Sequence, residues 1–254
     1  MSTRRTADIV LCLDASASMR PCIDAVRKHL GDFVDSLCGD AQTRWDLRFD
    51  YLAHAAGETT DGSGVFNFRS LTAGQLGLLQ ALYQQGGRGE NFFTRDLNAL
   101  KQGLATIEVG GDEAPLIALD TALDFPWRDA VACHRVVIML TDEALETGVC
   151  VKQQLETINA LVEKIHKLRV ILFLVAPSSD AFDQLCGADK SEFMVVDEPH
   201  NGLSKVAFSE VLASIGKSVS VSALQGAASN GKSARRALFG QDKWGSTGEA
   251  LRGS

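Results

Sequence analysis

Asp14, Ser16 and Ser18 stand at alternate positions directly after the apolar run Ile9-Val10-Leu11-Cys12-Leu13. One carboxylate and two hydroxyls are hard oxygen donors, a set suited to Mg²⁺, with Mn²⁺ or Ca²⁺ as the next candidates, rather than to zinc or copper. Three such oxygens leave a shell of about six incomplete. Water, a second loop and an outside group must supply the rest. A second carboxylate, Asp142, follows another apolar run, Val136-Val137-Ile138-Met139-Leu140, and Thr141. Between the two lies Gly110-Gly111-Asp112-Glu113-Ala114-Pro115, whose acids Asp112 and Glu113 are further candidate ligands. Asp14 and Ser16 also suit plain helix capping, and Asp112 and Glu113 suit a solvated helix start. Two buried runs that each stop at an aspartate, with a Gly-Gly-acid loop between them, favour the metal reading over capping.

Strand-to-helix turns have to present these groups. The run before Asp14 is short and aliphatic, as a strand buried on both faces should be. After it Pro21 suits a helix start, and Ile23, Val26, Leu30, Phe33, Val34 and Leu37 recur at helical spacing. Residues 45 to 52 and 65 to 68 alternate apolar and polar, which predicts two half-exposed strands joined as a hairpin at a sheet edge. Leu76, Leu79 and Leu82 predict a short helix, residues 86 to 95 a loop, and residues 96 to 107 and 115 to 123 two more helices. A helix striped by Val151, Leu155, Ile158, Leu161, Val162, Ile165 and Leu168 follows the strand at 135 to 140. Next come a strand at 170 to 175 stopped by Pro177, a short helix with Phe182 and Leu185, a strand at 192 to 196, and a helix striped by Phe208, Val211, Leu212, Ile215 and Val219. The fold class expected is α/β: a doubly wound, mostly parallel sheet with one antiparallel edge strand and helices on both faces.

The formal charge of −7 on 254 residues argues against general nucleic-acid binding. No run of about 18 apolar residues marks a membrane span, and the start does not read as a secretory signal. The six cysteines form no C-x-x-C pair and read as reduced structural thiols of a cytoplasmic protein. The five histidines show no zinc spacing, and none falls in the motif loops, so no nucleophile and base accompany the acids.

From residue 226 the composition turns to Gly, Ser and charge. This stretch carries five basic and two acidic residues, +3 against −10 for the rest. We divide the chain into a domain at 1–225 and a basic tail at 226–254. Phe239 and Trp244 are candidate anchors there for a pocket on a partner or on this chain. Gly226 to Ser233 also satisfies G-x-x-x-x-G-K-[ST], yet lacks the buried strand before it and the long helix after it that a phosphate cradle needs.

The Asp14, Ser16, Ser18 pattern, Asp142 at a second strand end and the order of elements over residues 8 to 222 resemble the metal-ion-dependent adhesion site of von Willebrand factor A domains. The resemblance implies a Rossmann-like sheet, a Mg²⁺-type ion, and Asp142 approaching that ion through water. In that family the loop at 110–115 offers a threonine, absent here; Asp112 or Glu113 replaces it, or the loop acts through water alone. The resemblance also implies a non-catalytic, metal-dependent interaction module whose ion is completed by an acidic residue of a protein partner. Bacterial intracellular members of the tellurite-resistance-associated type, which accompany kinases, phosphatases or AAA+ ATPases in stress response or defence, look most similar. Two alternatives stand beside it: a nucleotide-binding enzyme or switch using the tail's Gly-Lys-Ser stretch, and a metal-free scaffold with a degenerate site.

Overall fold

Residues Ile9 to Leu13 are all fully buried, and they divide between two cores: Ile9, Leu11 and Leu13 face one, Val10 and Cys12 the other. A strand covered on both faces has no solvent side to make polar, which is why the run is continuous. In the computed structural model, which describes residues 4–38, 44–58, 64–72, 74–75, 92–187, 190–196, 203 and 206–225, this strand is β1, Arg4–Asp14. It is central in the sheet. The strands β2 (Arg44–Glu58), β3 (Gly64–Ser70), β4 (Gly74–Gln75), β5 (His134–Leu140), β6 (Val170–Pro177) and β7 (Ser191–Val196) complete the order β4-β3-β2-β1-β5-β6-β7. β2, β1, β5, β6 and β7 are mutually parallel, and β3 runs antiparallel to β2. The two-residue β4, which the alternation did not announce, extends the edge beyond β3.

Helices α1 (Arg20–Cys38), α2 (Leu97–Ala105) and α6 (Phe208–Gln225) cover one face, while α3 (Pro115–Leu123), α4 (Val151–Leu168) and α5 (Asp180–Leu185) cover the other. Their buried residues largely follow the apolar stripes in the sequence, except that in α4 Leu155 is exposed and Gln154 is buried beside it. Asp96 caps α2 by accepting from the backbone of Asn98 at 2.8 Å and Ala99 at 3.3 Å. The expected helix around Leu76, Leu79 and Leu82, most of the expected loop at 86 to 95, and the tail with Phe239, Trp244 and the Gly226 to Ser233 stretch lie outside the described residues. No described helix is long and apolar enough to cross a membrane.

The reading of β2 as half-exposed needs correction. Its first residues are partly open, as are Ala55 and Gly57, but Phe49 to His54 are buried, Asp50 and His54 among them. β2 is an inner strand, and its Asp46, Arg48 and Asp50 side chains serve structural contacts, whereas neither ring nitrogen of buried His54 has a hydrogen-bond partner. Asp50 accepts from the backbone of Tyr51 and Leu71 at 2.8 and 2.9 Å and from the Thr72 hydroxyl, tying β2 to the turn after β3. At the amino end of β1, fully buried Asp8 holds Arg48 (Nη2 to Oδ2 2.6 Å) and Arg128 (Nε to Oδ1 2.8 Å).

Two histidines are stored neutral. Burial, with the positive charges of Lys190 and Arg5, pulls the pKa of His134 down to about 4, and burial pulls that of His54 down to about 3. The unfolded chain, with both near 6.5, therefore binds more protons below that pH. The stability this neutrality carries is intact above pH 6.5 and is lost as pH falls toward the folded values. Denaturant titrations should show that loss, and His134→Gln should reduce it by roughly 1 kcal/mol at about pH 5. An unchanged acid slope in the variant would contradict this assignment.

Candidate metal centre

Chain order reverses beside β1. The connection after β1 leads to α1 on one face and on to β2, whereas the connection after β5 leads to α4 on the opposite face. Divergent loops leave a crevice at the carboxyl ends of these two neighbouring strands, where open α/β sheets hold ligands. Asp14 ends β1 at that crevice, and Thr141 and Asp142 follow β5 there.

The polar groups form one connected set. Asp14, fully buried, accepts from the backbone N–H of Ser16 at 2.7 Å and from the hydroxyl of Thr141 at 2.8 Å. The Ser16 and Ser18 hydroxyls lie 3.2 Å apart, and Ser18 donates to Asp142 Oδ1 at 3.1 Å. A 3₁₀ turn at Ala17–Met19, closed by Met19 N–H to Ser16 C=O at 3.1 Å, brings the two serine hydroxyls together and places Ser18 against Asp142. Ala15 is fixed from both sides, donating to His54 C=O at 2.8 Å and accepting from Gly110 N–H at 2.7 Å.

That last bond brings in the Gly-Gly-acid loop, whose two acids point different ways. Gly111 adopts φ +87°, and a Cβ there would sit 2.7 Å from the Ala56 carbonyl, so only glycine suits the position. Asp112 then bonds through its backbone to Ala56, at 2.6 and 2.8 Å, with its side chain exposed. Glu113 turns inward and is 7% exposed. Its carbonyl accepts from Val149 N–H at 3.1 Å, under Gly148, where a Cβ would come within 2.7 Å of the same oxygen. Buried Gln154 braces this corner, accepting from Leu116 N–H at 2.8 Å and donating to Val149 C=O at 2.7 Å.

Burial disfavours negative charge at two acids of the set. Burial pushes Asp14 up to about 7, with Asp142 adding to the rise while Ser16 and Thr141 donate against it. Burial pushes Glu113 up to about 8, followed by the charges of Asp14 and Glu143 and eased by the Ser16 hydroxyl. Both hydrogen-bond donors to Asp14 are neutral. Cys22 nearby is kept as a thiol by burial and by Asp14 and Asp142, so the chemistry offered is oxygen, not thiolate. Among the described residues no three His, Cys, Asp or Glu side chains are grouped to hold an ion. Serine hydroxyls and water would have to share the task, which fits a hard divalent ion.

The structure thus brings together Asp14, Ser16, Ser18, Asp142 and Glu113, and leaves Asp112 outside. Thr141 and Gln154 belong to the site's support and were not singled out in the sequence; a threonine immediately before a strand-end aspartate was the available signal for the first. Beside the site a cavity of about 500 Å³ opens over β2 and β3, lined by Ala15, His54, Asn67, Arg69, Glu108 and Gly110 among others.

Fold and site together define an open α/β protein with an acidic, hydroxyl-rich cluster in its switch-point crevice. No family model matches the chain, and no curated protein matches it. Among solved structures it is similar to a von Willebrand factor type A protein from Catenulispora acidiphila, at 14% identity and TM-score 0.48 over 84% of this chain and 43% of that one. Another is proximal thread matrix protein 1 of the mussel byssus with a zinc-occupied MIDAS motif, at 14% identity and TM-score 0.44, covering 82% and 45%. A third is the pilus adhesin SpaC of Lactobacillus rhamnosus GG, at 12% identity and TM-score 0.44, covering 84% and 30%. The chain spans less than half the length of each of these.

Proposed function

We propose that the chain is a non-catalytic, metal-dependent protein-interaction module of the von Willebrand factor A type. Asp14, Ser16, Ser18 and Asp142 would hold a Mg²⁺-type ion, with Mn²⁺ or Ca²⁺ as substitutes, and a carboxylate from a protein partner would complete its shell. The carrying observation is the linked cluster itself: two buried aspartates at neighbouring strand ends, joined through Ser18 and Thr141, with neutral donors around Asp14. When bound, the ion supplies a Lewis-acidic coordination position for an incoming oxygen ligand. The chain's own residues do the rest: Ser16 N–H and Thr141 orient Asp14, and Ser18 orients Asp142.

The wider setting follows the same resemblance. We place the protein in the cytoplasm, in a bacterial stress-response or defence system, with a kinase, phosphatase or AAA+ ATPase as the partner class and the basic tail, through Phe239 and Trp244, as an additional contact. Affinity capture from native lysate in Mg²⁺ tests this. A partner should be retained by the wild-type chain, released by a chelator, and absent when Asp14→Ala is the bait. A partner held equally by bait and variant, with or without chelator, would overturn metal-gated recognition.

A further inference from the structure

β3 sets two polar side chains beside alanines of β2. In the antiparallel register Arg69 stands opposite Ala53 and Asn67 opposite Ala55, and residues opposite each other in a sheet project from the same face. Arg69 and Asn67 are both exposed. The methyl groups of Ala53 and Ala55 leave the space above them unfilled, and that space belongs to the cavity of about 500 Å³, which Ile107, Glu108, Val109 and Gly110 also line. Two guanidinium groups stand at this cavity: Arg69 lines it, and Arg20, the first residue of α1, donates to the carbonyl of Ile107. Glu108 is the one acid among the described lining residues. Neither Arg69 nor Glu108 takes part in an ion pair among the described residues. A guanidinium and a primary amide two residues apart on one strand face are a donor pair suited to a carboxylate.

The cavity adjoins the crevice at the carboxyl ends of the strands. Ala15, which lies between Asp14 and Ser16, lines the cavity, and so does Gly110, whose N–H bonds to the Ala15 carbonyl at 2.7 Å. Neither residue carries more than a methyl group, and the space around Gly110 is open. A chain passing from crevice to cavity would meet no bulky side chain there. β1 and β3 flank β2, with Leu13 opposite Ala53 and Ala53 opposite Arg69, so Arg69 stands two strand spacings, roughly 10 Å, from the end of β1. An extended chain covers that distance in about three residues.

We propose that this cavity is a second recognition pocket, which takes an acidic side chain of the partner on Arg69 and Asn67, about three residues along from the acid that completes the ion. This rests on the metal-dependent reading above and deepens it: the partner is recognised through two spaced acids of one extended segment. Glu108 opposes an acid placed anywhere in the cavity but against Arg69, which makes the spacing selective. Attraction to the ion alone would not distinguish one spacing of the two acids from another.

The experiment is calorimetric titration of the full chain, first with Mn²⁺ and then, at saturating Mn²⁺, with glycine-rich peptides. One carries a single aspartate, two carry a glutamate three residues before or after it, and a fourth carries the glutamate directly beside it. One of the two spaced peptides should bind about tenfold tighter than the single acid, the adjacent pair should not, and the gain should shrink as salt rises. Arg69→Gln, at an exposed position and with folding checked by circular dichroism, should erase the difference between spaced and single acids. Absence of a gain for either spaced peptide in the wild type, an equal gain for the adjacent pair, or a gain that survives in folded Arg69→Gln would overturn the pocket. Failure of the wild-type chain to bind Mn²⁺ would remove the metal reading and this inference together, whereas binding of Mn²⁺ and of the single acid without a gain for spaced acids removes the inference alone.

Discussion

Asp14→Asn is expected to abolish the rise in melting temperature that Mg²⁺ or Mn²⁺ produces in the wild-type chain, while leaving the metal-free protein at least as stable as before. Asparagine preserves the acceptor for Ser16 N–H, which lies 2.7 Å from Asp14 Oδ1. It removes a charge that burial and Asp142 both oppose. Without an ion that charge is a cost; with an ion it is the strongest attraction in the crevice. A ligand that binds only the folded state stabilises it by mass action, about 2.7 kcal/mol at a hundredfold excess over its dissociation constant. For a domain of this size that corresponds to roughly 5–10 °C. Thermal unfolding with and without metal reads both halves of the prediction. A variant that keeps the shift would show that the ion sits elsewhere.

Asp8→Ala should do the reverse: destabilise the chain severely and leave the metal-induced shift intact. Asp8 lies at the other end of the same strand, fully buried, with both oxygens engaged by Arg48 and Arg128. Burial alone would raise its pKa, but the hydrogen bonds from Arg48 and Arg128 outweigh it and hold the carboxyl below its ordinary value. Its contribution is therefore present above the ordinary carboxylate pKa and lost only as pH falls through the lowered one. Arg128 also reaches Asp46 Oδ2 at 3.0 Å and the carbonyls of Ala7 and Asp46 at 2.9 Å, so the cluster closes the amino end of the sheet around β1 and β2. Removing the shared acid leaves two guanidinium groups with little solvent to replace it, a loss of about 3–5 kcal/mol at neutral pH. Denaturant unfolding measures it. A change below about 1 kcal/mol would mean that the pair behaves as a surface salt bridge.

The two sites also differ in how much of each the sequence alone makes legible. β1, β5 and β6 are legible because strands covered on both faces must be continuously apolar, and the first two stop at acids, so Asp14 and Asp142 stand out. β2 misleads because Asp46, Arg48 and Asp50 alternate with apolar residues as on a half-open face; Asp50 is tolerated through donors from Leu71 and Thr72, partners the local alternation cannot reveal. Adjacent acids in one loop look alike in sequence. What separates Glu113 from Asp112 is the backbone pairing with Ala56 and the Gly111 turn, both products of tertiary structure. Thr141 takes its part through a hydrogen bond to a residue 127 positions away, and Arg128 meets Asp8 across 120. No local period encodes such meetings.

Everything proposed for the crevice requires that it hold a divalent ion. Titrating the metal-free chain with Mn²⁺, with the free ion followed by its paramagnetic resonance signal, asks this directly. The prediction is a single saturable site per chain that disappears when Asp14 and Asp142 are both replaced by alanine. Mn²⁺ that stays free up to millimolar concentration, or binds the double variant as well as the wild type, would contradict it.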